Sequence, residues 1–483
     1  MMNVLSCIAL AAIVVLNEDN DRYFCTRGEE GMNVPALEAY VDRIAGGKVT
    51  HFFMCPSGQR TSYDSKAWEP IWACLTEPGG ADSRWGRNAK LLHDRGIDIY
   101  QVWIRRCRER GISPWLSPRM NDAHNANMEW PIRNTTFWRT RKDLRNPGGT
   151  LNFEHQEVQD YTFALVKEQL DRYDIDGYEL DFMRFDQYFP VNDATNYTHH
   201  LDRFVKRVHD YMTVKSAERG HKILLGVRVP TTPRAALSRG EDVGLWARSG
   251  WVDWVCASSP WRTPDYNTPV GEWRKWFGAA AGRITFLMGA DHGVTAFKWE
   301  RTDMTPGFYA GFADVAWGSG ADGVYLFNAS YLESALATVC RKGLFPEDLP
   351  SYRRRYPVSF RDTAYGVVPD DVQLPRLSDR VNRFTVRLGA KPAGRVTVLV
   401  GVRQDGPFNP PITLNGFQPI RSWTEKIDVV CMDHRDKPVP YFCRRFSFPS
   451  EAVHPGPDNV IELQPSETKM TIGWVEITLE EVK

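Results

Sequence analysis

The chain has 483 residues, too many for one small domain and enough for a large barrel with a smaller partner. Sixty Lys and Arg balance sixty Asp and Glu, so there is no electrostatic case for nucleic acid or an anionic membrane as the partner. Apolar residues make up 42% of the chain, which excludes an intrinsically disordered protein, and most of the 17 Trp are expected in the core. The nine cysteines are widely spaced with no CxxC, which fits neither a zinc site nor a disulfide framework.

The first apolar run, Val4 to Leu16, has two readings. It has the length of a signal-peptide core, with Ala9-Leu10-Ala11 as a cleavage site. No Lys or Arg precedes it, however, and Ala11–Asn17 also reads as a buried parallel strand. The strand reading is preferred. The run is too short to cross a bilayer, which needs about 20 residues, and no membrane partner is expected.

Seven further apolar runs follow: Lys48–Cys55, Ile112–Ser117, Ile175–Phe182, Ile223–Val229, Trp251–Ser258, Arg283–Gly289 and Asp322–Asn328. Between them lie helical patterns such as "VPALEAYVDRIAG", "IYQVWIRRCRERG", "HQEVQDYTFALVKEQLDRY" and "HLDRFVKRVHDYM". Eight strands alternating with helices predict an α/β chain with a (β/α)8 TIM barrel over 1–345. Residues 346–381, rich in Pro and charge at "FPEDLPSYRRRYPVSF", read as a linker or wrap-around segment. From 382 to 483, short alternating runs separated by turns predict a small all-β sandwich.

The fourth run, "IDGYELDF", carries the chemistry. Alternation puts Gly177, Glu179 and Asp181 on one face and Tyr178, Leu180 and Phe182 on the other. In a barrel the bulky set meets the helices and the polar set points inward. Two residues advance about 6.6 Å, so Asp181 is expected near the C-terminal mouth, where barrel active sites form, and Glu179 one layer deeper. Asp181 would touch substrate and Glu179 would tune it. The alternative is an internal salt bridge, with Arg119 or Arg228 balancing the acids.

"DGYELDFMRF" resembles the signature of bacterial glycoside-hydrolase-like barrel families, D-G-x-x-x-D-(Y/F)-x-R-(F/Y). The resemblance carries over to Asp176-Gly177, Asp181 and Arg184, and implies that Asp181 and Arg184 lie in an active site. The pattern departs where those families often place Pro, since Asp186 follows Phe185. A chitinase-like strand is disfavoured, because Met183 stands where its acid would be. The end of the chain resembles a galactose-binding-like sandwich of the kind appended to glycosidases; a packing role that never touches sugar is slightly preferred.

Polar residues follow every candidate strand. They include Asn17 after the first, Arg60 after the second, and Arg119, Asn121, Asp122 and His124 after the third. Arg228 lies on the fifth, Trp261 follows the sixth, Asp291 and His292 the seventh, and Asn328 ends the eighth. Glycoside cleavage needs two carboxyl groups, about 5 Å apart for retention or roughly 6.5–9.5 Å for inversion. Asp181 is the first candidate. The second is Glu179, Asp122 or Asp291, and analogy with other glycosidase barrels favours Asp291. The arginines would suit a carboxylated or sulfated glycan.

No HxH follows the first strand, and no dinucleotide loop, P-loop or nucleophile elbow is placed between a strand and a helix, so neither metal nor cofactor is expected. The expected activity is two-carboxylate cleavage of an oligo- or polysaccharide. The alternatives are a carbohydrate-binding barrel without catalysis, or a different barrel hydrolase or lyase. A polysaccharide-degrading enzyme would be expected in the periplasm or outside the cell.

Overall fold

The structure, a computed structural model, describes residues 12–480 apart from 131, 298–299, 330–332, 360–371, 390–393, 404–407, 426–430, 433–436 and 440. Eight parallel strands close into a barrel. They are β1 (Ile13–Glu18), β2 (His51–Met54), β3 (Ser113–Leu116), β4 (Gly177–Asp181), β5 (Leu224–Val229), β6 (Trp254–Ser258), β7 (Thr285–Ala290) and β10 (Gly323–Leu326). β10 pairs with β1, which completes the ring. Each strand lies within one of the eight apolar runs, allowing for one residue at an end. The run Ala11–Asn17 thus contributes a barrel strand, while residues 1–11 lie outside the described residues.

Helices surround the ring for the reason their period suggests. Val34–Ala45 buries Leu37, Tyr40, Val41 and Ile44, one stripe at helical spacing, and Asn33 caps it by accepting from the Ala36 amide at 3.0 Å. Gln156–Arg172 buries Val158, Leu165 and Leu170. Its Tyr161 stacks on Phe137 at 3.9 Å and on Trp68 at 4.8 Å. Among the described residues no helix is long and apolar enough to cross a membrane. Cys25, Cys55, Cys74, Cys107, Cys256 and Cys340 are free thiols, and all but Cys25 are buried.

The barrel interior is filled from below. Ile13, Val15, Phe53, Trp115, Trp254, Cys256, Leu287, Tyr325 and Phe327 form one buried cluster inside the ring. Phe53 stacks on Trp115 with ring centres 4.5 Å apart. The indole of Trp115 fits because its neighbours lack side chains. A Cβ at Gly177 would overlap it, and one at Gly226 would approach its ring to 3.1 Å. Above this apolar floor the inward residues become polar.

A hairpin of β8 (Gly293–Phe297) and β9 (Glu300–Asp303) leaves the barrel between β7 and β10. The C-terminal region is antiparallel throughout. Its main sheet has the order β11-β21-β14-β19-β16, with β12 (Arg376–Leu377) also on β21. Here β11 is Arg354–Pro357, β14 Arg395–Val402, β16 Arg421–Glu425, β19 Phe442–Phe448 and β21 Thr471–Glu480. β13 (Asn382–Leu388), β20 (Gly456–Leu463) and β15 (Ile412–Leu414) form a second sheet. β17 (Cys431–Met432) and β18 (Pro438–Val439) extend the β8–β9 hairpin. Alternation predicts a further strand over "KIDVVCM", Lys426–Met432, of which residues 426–430 lie outside the described residues. β16 was not singled out by alternation.

Gly177→Ala should cost about 1–3 kcal/mol or more, the usual range for overpacking a dense core. Urea unfolding checks this, and Trp115→Leu in the same chain should recover part of the loss. Equal stability of Gly177→Ala and the parent would show that the floor is looser than this geometry requires.

Candidate active site

β4 delivers Glu179 and Asp181 inward, as alternation predicts. Tyr178 faces the other way and donates to Gln169 of the outer helix at 2.7 Å. Asp181 is 1% exposed. Its Oδ1 accepts from Arg228 Nε at 2.9 Å and from the amides of Met183 and Arg184 at 3.0 and 3.3 Å, while Oδ2 accepts from Arg228 Nη2 at 3.1 Å. Arg228 also donates to Ser258 at 3.1 Å and lies 3.8 Å over the Phe327 ring. The acid therefore meets the internal partner foreseen for it, and of the two arginines considered that partner is Arg228.

Glu179 sits beneath. Its Oε1 accepts from Ser117 at 2.6 Å and Tyr325 at 2.7 Å. Burial, helped by the charge of Asp181, pushes the Glu179 carboxyl up to about 7. Asn17 reaches the same Ser117 hydroxyl at 3.5 Å.

A second chain of contacts runs across the mouth. Arg119 donates to Asp19 at 2.6 Å and to Asp122 at 2.9 Å. Asp122 accepts from His124 Nδ1 at 2.8 Å, and His124 Nε2 meets Arg184 Nη2 at 2.7 Å. Burial works to raise the Asp122 carboxyl, but His124 and Arg119 outweigh it and hold the group well below the usual carboxylate range. Burial lowers the His124 imidazole, against the pull of Asp122 and with the help of Arg184. A neutral ring with its proton on Nδ1 satisfies both neighbours. Arg184 lies 5.5 Å from the Phe185 ring centre and 5.6 Å from that of Trp261.

On the far side Asp291 accepts from His292 Nδ1 at 2.5 Å and from the Arg262 amide at 2.6 Å. Burial works against ionisation here too, but His292 and these amide contacts prevail and hold Asp291 at about 2. The side chain of Arg262 covers Trp261 at 4.0 Å.

Other predicted residues serve the loops. Arg60 is buried against Glu69 and Glu77 at 2.8 and 2.7 Å. Asn121 clamps Leu151 through both its side-chain groups, at 2.9 and 2.7 Å. Asn328 has φ 52° and a buried Oδ1 without a hydrogen-bond partner among the described residues. Asp176, the first residue of the motif, lies at the opposite end of β4, where it accepts from Ser113 at 2.8 Å. The motif thus has two jobs. Asp176-Gly177 serves the floor, and Asp181 with Arg184 serves the mouth.

Sequence reasoning missed Ser117, Tyr325 and Glu241. Parity along β3 and β10 would have turned the first two inward. Glu241, in the loop after β5, is fully buried, and neither carboxylate oxygen has a hydrogen-bond partner among the described residues. Burial and nearby Asp186 push its carboxyl well above the ordinary value. In the sequence it reads only as a neighbour of Asp242, the cap of the next helix.

Two patterns mark this end of the barrel. Six non-glycine described residues have left-handed φ, and five of them, Asn125, Glu129, Phe185, Arg262 and Asn328, lie in loops that follow barrel strands. Such conformations cost energy and cluster where function requires them. Buried polar atoms without hydrogen-bond partners among the described residues also occur after most strands, on Asn20, Gln59, Arg119, Arg184, Thr231, Ser259 and Asn328. A surface of this kind suits a polar ligand.

Fold and mouth together define a TIM barrel with a polar, carboxylate-bearing C-terminal face. No protein-family model matches the chain, and no curated protein matches it in sequence. Among solved structures, it is similar to a cycloisomaltooligosaccharide glucanotransferase of Paenibacillus sp., at 8% identity and TM-score 0.37, covering 97% of this chain and 58% of that one. The chain thus spans less than two thirds of that protein's length. It is similar to the maltogenic alpha-amylase AmyB of Thermotoga neapolitana, at 10% identity and TM-score 0.37, covering 97% and 99%. It is also similar to the PgaB (BpsB) glycoside hydrolase domain of Bordetella bronchiseptica, at 8% identity and TM-score 0.40, covering 69% and 98%. Likeness at this level says nothing of the reaction.

Glu179 keeps its proton in the folded chain up to about pH 7 but releases it near 4.5 when unfolded. Between these values the folded state binds the extra proton, so this contribution is complete below pH 4.5 and is lost as pH rises to 7. The loss amounts to about 3 kcal/mol. Urea melts across this window should show a shallower decline for Glu179→Gln than for the parent. Parallel declines would assign the slope to another group.

Proposed function

We propose that the barrel is a glycoside-hydrolase-like enzyme that cleaves a glycosidic bond in an oligo- or polysaccharide. One observation carries this reading: two carboxyl groups on the same inward face of β4 are held in different states. Asp181 is ion-paired with Arg228, and Glu179 beneath it is held near neutrality. Glycosidases need such a division between a carboxylate and a proton-bearing acid.

In this reading Asp181 is the negative group that serves the anomeric centre, and Glu179, which tunes it, is also the proton-bearing acid that supplies the proton taken up by the leaving oxygen. Asp291, held ionised beside His292, is the second carboxylate and is suited to act as nucleophile or base rather than as proton donor. Arg184 binds substrate, and the rings of Trp261 and Phe185 offer faces against which a sugar packs. The C-terminal region, from about residue 382, is proposed as an accessory domain.

A second reading, a barrel that binds carbohydrate without cleaving it, has its own support. Both oxygens of Asp181 already accept hydrogen bonds, and a carboxylate so engaged is a poor nucleophile.

A glycan panel separates the two. The enzyme reading expects cleavage of at least one member, unchanged by a chelator. It also expects Asp181→Asn to lower turnover by about a thousandfold or more while sugar binding persists. Binding by the parent with no cleavage of any bound member would replace the enzyme by the binding protein.

A further inference from the structure

We infer that Arg184 receives an acidic group of the glycan, so that the sugar held at this mouth carries a carboxylate. The inference rests on the carbohydrate reading above and deepens it.

Four arginines were singled out near the strand ends, and three are tied to carboxylates. Arg60 is paired with Glu69 and Glu77, Arg119 with Asp19 and Asp122, and Arg228 with Asp181. Arg184 is different. It is 7% exposed, and it makes no ion pair among the described residues. Its Nη2 donates to His124 Nε2 at 2.7 Å, and its Nε and Nη1 have no hydrogen-bond partner among the described residues.

A guanidinium stays charged at any ordinary pH, so it needs a negative partner and not only an acceptor. His124 cannot be that partner. Its Nδ1 is turned to Asp122 at 2.8 Å, which leaves Nε2 as an uncharged acceptor. Asp19 feels the charge of Arg184 but is bonded to Arg119. The hydroxyls of a neutral sugar would satisfy the free N–H groups without balancing the charge. A carboxylate does both, through planar, charge-assisted hydrogen bonds.

The surroundings hold this donor set in place. The amide of Arg184 is anchored by Asp181 Oδ1 at 3.3 Å, and the next residue, Phe185, is fixed at φ 69°. The rings of Phe185 and Trp261 flank the guanidinium and keep its plane from turning.

The test is calorimetric binding of the full chain at constant ionic strength. The probes are oligogalacturonate, hyaluronan and alginate oligosaccharides, neutral galacto- and gluco-oligosaccharides of matched length, and a sulfated galactan oligosaccharide. At least one uronate should bind the parent tenfold or more tighter than every neutral probe. Arg184→Gln should remove that preference and Arg184→Lys should keep part of it, each with the parent's melting temperature. A uronate preference that survives in Arg184→Gln overturns the inference, as does a sulfated probe that outbinds every uronate. Cleavage of a neutral glycan with no uronate preference overturns it and leaves the glycosidase reading standing. Failure to bind or cleave any probe removes both.

Discussion

The ion pair between Asp181 and Arg228 governs the upper half of the barrel. Both side chains are buried, and neither is tolerable there alone. A matched apolar pair would often be as stable, so stability by itself does not explain their presence. The pair also organises its surroundings. Asp181 accepts the amides of Met183 and Arg184, which turns the chain out of β4 and brings Arg184 against His124. His124 is held by Asp122, and Asp122 by Arg119. One charged contact inside the ring therefore reaches the rim through a series of hydrogen bonds.

Below that pair the barrel is closed by packing. Trp115 occupies the space that Gly177 and Gly226 leave open, and Phe53 and Trp254 lie against it. A polar ligand has no route through such a floor, and among the described residues the polar side chains inside the ring gather toward the C-terminal ends of its strands. Glu179 lies at the boundary between the two regimes. It is bonded like a structural residue, through Ser117 and Tyr325, yet its ionisation is displaced toward neutrality because little water reaches it.

The eight barrel strands were legible because strands buried on both faces read as continuous apolar runs. The helices were legible from their stripe, as in Val34–Ala45. The β8–β9 hairpin was not, since "ERTD" has the composition of an exposed loop. β16 was hidden for a similar reason, with Arg421, Thr424 and Glu425 around Trp423. In the site, parity alone identified Glu179 and Asp181. The partners were out of reach, because Arg60 and Arg184 look alike in sequence and differ only in neighbours brought from distant loops. Glu241 had no signal at all, as its burial is a property of the loop around it.

The β8–β9 hairpin ties the two halves of the chain together. β9 pairs with β17, Tyr441 donates to Glu300 at 2.5 Å, and Arg403 reaches the same carboxylate at 2.8 Å. β11 likewise runs between β21 and the helix Pro306–Gly318, where Tyr356 and Arg354 meet Asp314 at 2.5 and 3.3 Å. The C-terminal sheets are thus sutured to the segment that links the last two barrel strands. Cutting the chain at about residue 382 would not free a tidy module: it would bare the flanks of β9 and β11 and take Arg403 and Tyr441 away from Glu300, next to the stave that closes the ring.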